Sequence, residues 1–117
     1  MSCELVKIIN EDGIVVVTLM QEKILDDETI ALIESEIMPE ISEVKNVSVV
    51  IDFASVRFLT SAFLGFLIRL SKGIYESGGE LRLCSIDDKI LGIFKITRLD
   101  KIFDIHADVE KAILSLG

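Results

Sequence analysis

Two stretches limit the fold more than any other part of the chain. "VSVVIDF" (Val47 to Phe53) and "ELRLCSI" (Glu80 to Ile86) are almost unbroken apolar runs. Runs of this kind read as strands covered on both faces. Between them, "LTSAFLGFLIRLSKGIYE" changes to helical spacing and stops at "SGGE", where Gly78 or Gly79 can take the left-handed C-terminal conformation. A strand, a helix and a strand of this type make a right-handed crossover between parallel neighbours.

The remaining segments extend the alternation. "ELVKII" (Glu4 to Ile9) and "IVVVTL" (Ile14 to Leu19) are β-branched runs separated by "NEDG", which reads as a hairpin turn. Asp26 or Asp27 can cap a helix in which Ile30, Ile33, Ile37, Ile41 and Val44 keep helical spacing; Pro39 should kink or end it near Met38. "DDKILGIFKITRL" offers a helix capped by Asp87 or Asp88, and "KIFDI" (Lys101 to Ile105) a short strand. A last amphipathic helix places Val109, Ala112, Ile113 and Leu116 on one face. The expected order is ββαβαβαβα. It predicts an α/β fold with a mixed, mostly parallel sheet, in one domain over residues 1–117.

Composition narrows the function. Lys and Arg number 12 against 20 Asp and Glu, a formal net charge of −8. That balance argues against a phosphate-backbone partner, so no direct nucleic-acid contact is expected; it fits a basic protein face or serves solubility alone. No apolar run is long enough to cross a bilayer. The start "MSCELVKII" lacks the layout of a secretion signal. Cys3 and Cys84 make no metal spacing, so both thiols are expected free in a reducing cytoplasm. There is no GxxxxGK[ST] loop, and His106 has no motif partner, so neither an enzyme, a cofactor nor a metal is expected.

The strand-to-helix junction is the place for function. Asp52 ends the strand, and "FASVRFL" should bury Val56, Phe58 and Leu59 beneath the next helix. Thr60 is the expected N-cap, with its hydroxyl accepting a backbone N–H, and Ser61 the first helical residue. Ala62, Phe63, Phe66, Leu67, Leu70 and Ile74 read as the core side of this helix. Ser61, Gly65, Ile68 and Lys72 point the other way with Leu64 beside them. With Asp52 and Thr60, they form the expected partner-binding set.

"IDFASVRFLTSAFLGFLIRL" resembles the signature segment of STAS domains, the fold of bacterial anti-sigma factor antagonists. In that pattern an aspartate follows a hydrophobic strand, and Asp-Ser-Ser-Gly-Leu-Gly opens a helix. Asp52, Val56, Phe58, Ser61, Leu64 and Gly65 keep the register. "GIFKITRLDKIFDIHADVEKAI" is similar to the family's C-terminal segment, with Arg98 in place of the glycine of Thr-Gly-Leu. The resemblance implies a protein-binding regulator of transcription. Such a protein captures an anti-sigma factor, usually a serine switch kinase, which phosphorylates the second serine of the motif; a phosphatase reverses this. Here Thr60 stands for the motif aspartate, Phe63 for its glycine, and Ala62 for the phosphorylated serine. Phosphorylation in the usual register is therefore chemically impossible. Ser61 or Thr60 is the alternative acceptor, and a constitutive binder is the simpler reading. The other function the resemblance allows is a small cytoplasmic STAS partner of a membrane transporter or a signalling scaffold. No feature of the sequence selects an oligomeric state.

Overall fold

The structure, a computed structural model, describes residues 5–42 and 44–116. A five-stranded sheet contains β1 (Val6–Glu11), β2 (Ile14–Leu19), β4 (Ser48–Asp52), β6 (Glu80–Cys84) and β7 (Asp104–His106), side by side in that order. β1 and β2 are antiparallel; every other neighbouring pair is parallel. Asp12 and Gly13 both have positive φ, the geometry of a type I′ turn, whose twist matches the strands it joins. A separate two-stranded parallel sheet pairs β3 (Lys23–Ile24) with β5 (Phe58–Leu59). Glu4 and Cys3, the expected start of β1 and one of the two thiols, lie outside the described residues.

β4 is buried on both sides, as its apolar run requires. Val49 and Ile51 belong to a large core beneath α1 (Asp27–Ile41), α2 (Ser61–Glu76) and α3 (Asp88–Ile96). Val50 points to the opposite face. There it meets Cys84 and Ala112, with Val109, Ile113 and Leu116 around them, under α4 (Val109–Leu114). The apolar stripe read from the last helix is therefore the stripe that packs. Arg82 is nearly buried on this side of β6. It donates to the Ser115 hydroxyl (2.9 Å) and pairs with Asp104 (3.3 Å) and Glu80 (3.4 Å), tying β6 and β7 to the end of α4.

The helix ends follow local chemistry. Asp26 caps α1: the Thr29 hydroxyl and then the Thr29 N–H donate to its carboxyl and hold its pKa below the usual carboxylate value. Asp87 caps α3 and Asp108 caps α4 through their side chains. α2 closes in a Schellman motif, with Gly78 N–H on the Tyr75 carbonyl, Gly79 N–H on the Ile74 carbonyl, and Gly78 at φ +81°. A side chain on Gly79 would collide with the Val47 backbone, which explains the second glycine of the pair.

Three expectations are corrected. Pro39 neither ends nor visibly interrupts α1, which continues to Ile41. Pro39 is exposed, so the carbonyl deprived of its N–H can be solvated. Val44 lies beyond that helix and is exposed. The strand expected at 101–105 begins at Asp104, because a 3₁₀ turn (Leu99–Lys101) intervenes.

Two predictions follow from this packing. Arg98 holds φ +63° at the position just past α3, a left-handed conformation that costs an L-residue about 1 kcal/mol. Arg98→Gly is expected to raise stability by about that amount in urea unfolding; a loss would show that the side chain earns its place. Burial, and secondarily the Asp52 carboxylate, push the Cys84 thiol from 9.0 up to about 12. The folded state thus keeps a proton that the unfolded state releases above 9.0. The stabilisation is complete below that pH and declines as pH rises toward about 12. Urea midpoints of the native chain should fall across this window more steeply than those of Cys84→Ala.

Candidate functional site

The link from β4 to α2 is tied down by hydrogen bonds and buried side chains. The Asp52 carboxylate accepts the Ala54 N–H (3.0 Å) and shapes the first turn. The Val56 N–H closes on the Phe53 carbonyl (2.9 Å), and both side chains are fully buried. Arg57 and Phe58 donate their N–H groups to the Glu22 carbonyl (2.8 and 3.1 Å), which leads into the β3–β5 pair. Arg57 also donates to the Ala54 carbonyl (2.9 Å) and lies 3.8 Å from Asp87.

Phe58 was expected beneath the helix but is 44% exposed, while Leu59 is half-buried. Successive strand residues point to opposite sides, so β5 can bury only one of them. Lys23 and Lys89 Nζ each lie 5.6 Å from the Phe58 ring centroid, within cation–π range.

Thr60 occupies the N-cap position in extended geometry, and its carbonyl accepts from Phe63 and Leu64 N–H. Its hydroxyl makes no capping bond, contrary to expectation. The Oγ1 atom is buried without a hydrogen-bond partner among the described residues. The other three helices have aspartate caps and acidic first turns; α2 has neither.

The faces of α2 turn slightly from the expected phase. Its buried stripe is Phe63, Leu64, Phe66, Leu67, Leu70, Ser71 and Ile74. With about 100° per residue, Leu64 lies only about 60° from the stripe centre at Leu67, whereas Ala62 lies about 140° away. Leu64 is therefore core and cannot meet a partner, and Ala62 is exposed rather than core. Phe63 stacks edge-on against Phe53 (6.5 Å) and tilted on Phe66 (5.6 Å), so a buried aromatic anchor secures the helix start.

The outer face then contains Ser61, Ala62, Ile68, Arg69 and Lys72, all exposed, around half-buried Gly65. A Cβ built on Gly65 would meet only the mobile end of Arg69 at 3.7 Å, so internal packing does not require glycine there. This face has two cations, and Glu76 is the only acidic residue of α2. It is locally basic in an acidic chain, a distribution that net charge could not reveal. Asp52 sits at the base of the junction, occupied with its turn. His106 ends β7 in register with Cys84, and its Nε2 is buried and unpartnered among the described residues. No group of three or more His, Cys, Asp or Glu among the described residues could hold a metal. No helix among them is long and apolar enough to cross a membrane.

Comparison with known proteins adds a family. The sequence pattern of the STAS domain matches residues 6–112. A Thermotoga maritima protein, provisionally named an anti-sigma factor antagonist, is 28% identical over 97 residues, covering 83% of this chain and 86% of that one. A crystal structure from that organism under the same description superposes with a TM-score of 0.81 at 26% identity, over 95% of this chain and 93% of the other. A STAS domain protein of Planctomyces limnophilus gives 0.84 at 21% identity, over 96% and 97%. The Bacillus cell-fate determinant SpoIIAA in its phosphorylated form gives 0.69 at 17% identity, over 92% and 96%.

The buried, unpaired hydroxyl of Thr60 leads to a prediction. Losing an N-cap side chain ordinarily costs about 1 kcal/mol. Thr60→Val removes a polar atom that has no hydrogen-bond partner among the described residues and keeps the shape, so stability should stay level or rise by up to about 1 kcal/mol. A fall of the usual capping size, measured by chemical denaturation, would reinstate the cap.

Proposed function

The chain belongs to the STAS domain family, and from that membership we propose that it is an anti-sigma factor antagonist whose partner binds the outer face of α2. The partner is an anti-sigma factor of the serine switch-kinase type. The interaction releases a sigma factor for transcription and takes place in the bacterial cytoplasm. The antagonist works by binding and performs no reaction of its own.

The observation that carries this reading is the exposed face of Ser61, Ala62, Gly65, Ile68 and Lys72 at the end of a hydrogen-bonded junction. Gly65 favours it in particular. A glycine inside a helix costs about 1 kcal/mol relative to alanine, and among the described residues a Cβ there would meet only the Arg69 guanidinium, at an ordinary contact distance. A close-packed partner gives that cost a purpose. Arg69 and Lys72 then favour an acidic patch on the partner.

Ala62 determines the regulation. In the resemblance it takes the place of the phosphorylated serine, and it stands on the exposed face without a hydroxyl. The antagonist is therefore constitutive towards its kinase, and control lies elsewhere. Neither Ser61 nor Thr60 is required as a substitute acceptor, and a phosphatase has no substrate on this motif.

The test uses a purified anti-sigma switch kinase, calorimetry and phosphopeptide mapping. The native chain should bind equally well after incubation with ATP. Ala62→Ser should become phosphorylated and then bind at least tenfold more weakly, because phosphate adds about 1.5 to 2 negative charges at the contact. Gly65→Ala should unfold at higher denaturant yet bind less well. Phosphate found on Ser61 of the native chain would overturn constitutive binding. Unchanged affinity in both Ser61→Asp and Gly65→Ala would remove the surface.

A further inference from the structure

The free edge of β1 has an independent story. β1 ends the sheet, and among the described residues its outer side pairs with no strand. The Met20 N–H donates to the Leu5 carbonyl across the hairpin (2.9 Å), which sets the phase of the ladder. Odd-numbered residues of β1 direct their backbone groups at β2. Val6, Ile8 and Asn10 therefore direct theirs outward. An outward row of unpaired N–H and carbonyl groups is a template for another strand.

The side chains on this edge have a pattern of their own. Lys7, Ile9 and Glu11 are exposed and share the α4 side of the sheet, opposite Thr18, Val16 and Ile14 of β2. Ile9 is 46% exposed. It borders an open hollow of about 200 Å³ lined by Ile14, Val16 and Ile113, with Glu11 and Asp12 at the rim.

We propose that the occupant of this edge is a second copy of the chain, paired antiparallel about a two-fold axis at Ile9. In that register Lys7 of each copy faces Glu11 of the other, and Ile9 faces its own counterpart beside the apolar hollow. The outward backbone groups of Ile8 and Asn10 meet as a hydrogen-bonded pair, the pairing their phase allows. An axis at Ile8 would place Lys7 against Ile9, and one at Asn10 would place Glu11 against Ile9. Only the Ile9 axis makes the charges complementary, so the backbone phase and side-chain order of this edge select both orientation and register. Such an interface is isologous and closed, and it ends growth at two copies. The overall charge of −8 opposes self-association. At physiological ionic strength, however, charges more than about 8 Å apart are largely screened, and the local Lys7–Glu11 contacts dominate.

Sedimentation equilibrium of the full chain tests this, with circular dichroism to verify folding of each variant. The native chain should show a reversible species of twice 13.0 kDa as concentration rises. Lys7→Glu and Glu11→Lys should each weaken it by about tenfold or more, since like charges then face each other twice. The double variant carrying both reversals should recover the native affinity, which a change in general charge or folding would not produce. Asn10→Pro removes an outward donor, leaves the β2 ladder intact, and should also yield monomer. A native chain that stays at 13.0 kDa throughout overturns the proposal and leaves the edge to a different protein. A dimer indifferent to both charge reversals and to Asn10→Pro overturns it as well.

Discussion

The architecture depends on the burial of β4 from both sides. Alternation along a strand sends Val49 and Ile51 to one face and Val50 to the other, so a single run of apolar residues must be covered twice. The three larger helices supply the first cover and α4 the second. Once β4 is central, its last residue, Asp52, must lie at the edge of the sheet where the chain turns. The position of α2 follows from there.

Much of this was legible in the sequence because it rests on local patterns. The two apolar runs, the turn before Ile14, the aspartates ahead of α1 and α3, the Gly78–Gly79 stop and the stripe of α4 each act over a few residues. What escaped depends on distant partners or on phase. β3 and β5 have two residues each, too few to show a period, and they find each other across the whole of α1 and β4. Exposure of Phe58 follows from that pairing. The outward set Ser61, Gly65, Ile68 and Lys72 was read correctly as exposed or half-exposed. Leu64 and Ala62 take the reverse of their expected places because the buried stripe centres on Leu67, about 60° from Leu64 and about 140° from Ala62. The failure of the Thr60 hydroxyl to cap leaves no mark in a string of letters.

In the segment Thr60 to Phe63, aromatic packing fixes the start of the helix. Thr60 makes no side-chain capping bond, and no acidic residue follows in the first turn. Phe63 instead is a ring packed between Phe53 and Phe66. The helix start is then held by aromatic contacts rather than by a carboxylate cap. The outer face presents the small residues Ser61, Ala62 and Gly65.

Strand order has a geometric result beyond the fold. α1 packs against β1, while α2 packs against β6 on the far side of the central strand. The free margin of β1 and the outward side of α2 are thus separated by the body of the domain. A molecule engaged along its margin still presents α2, and two molecules joined there present it twice. Such an assembly has valency: it can bridge two targets or hold one two-site target more tenaciously than either site alone.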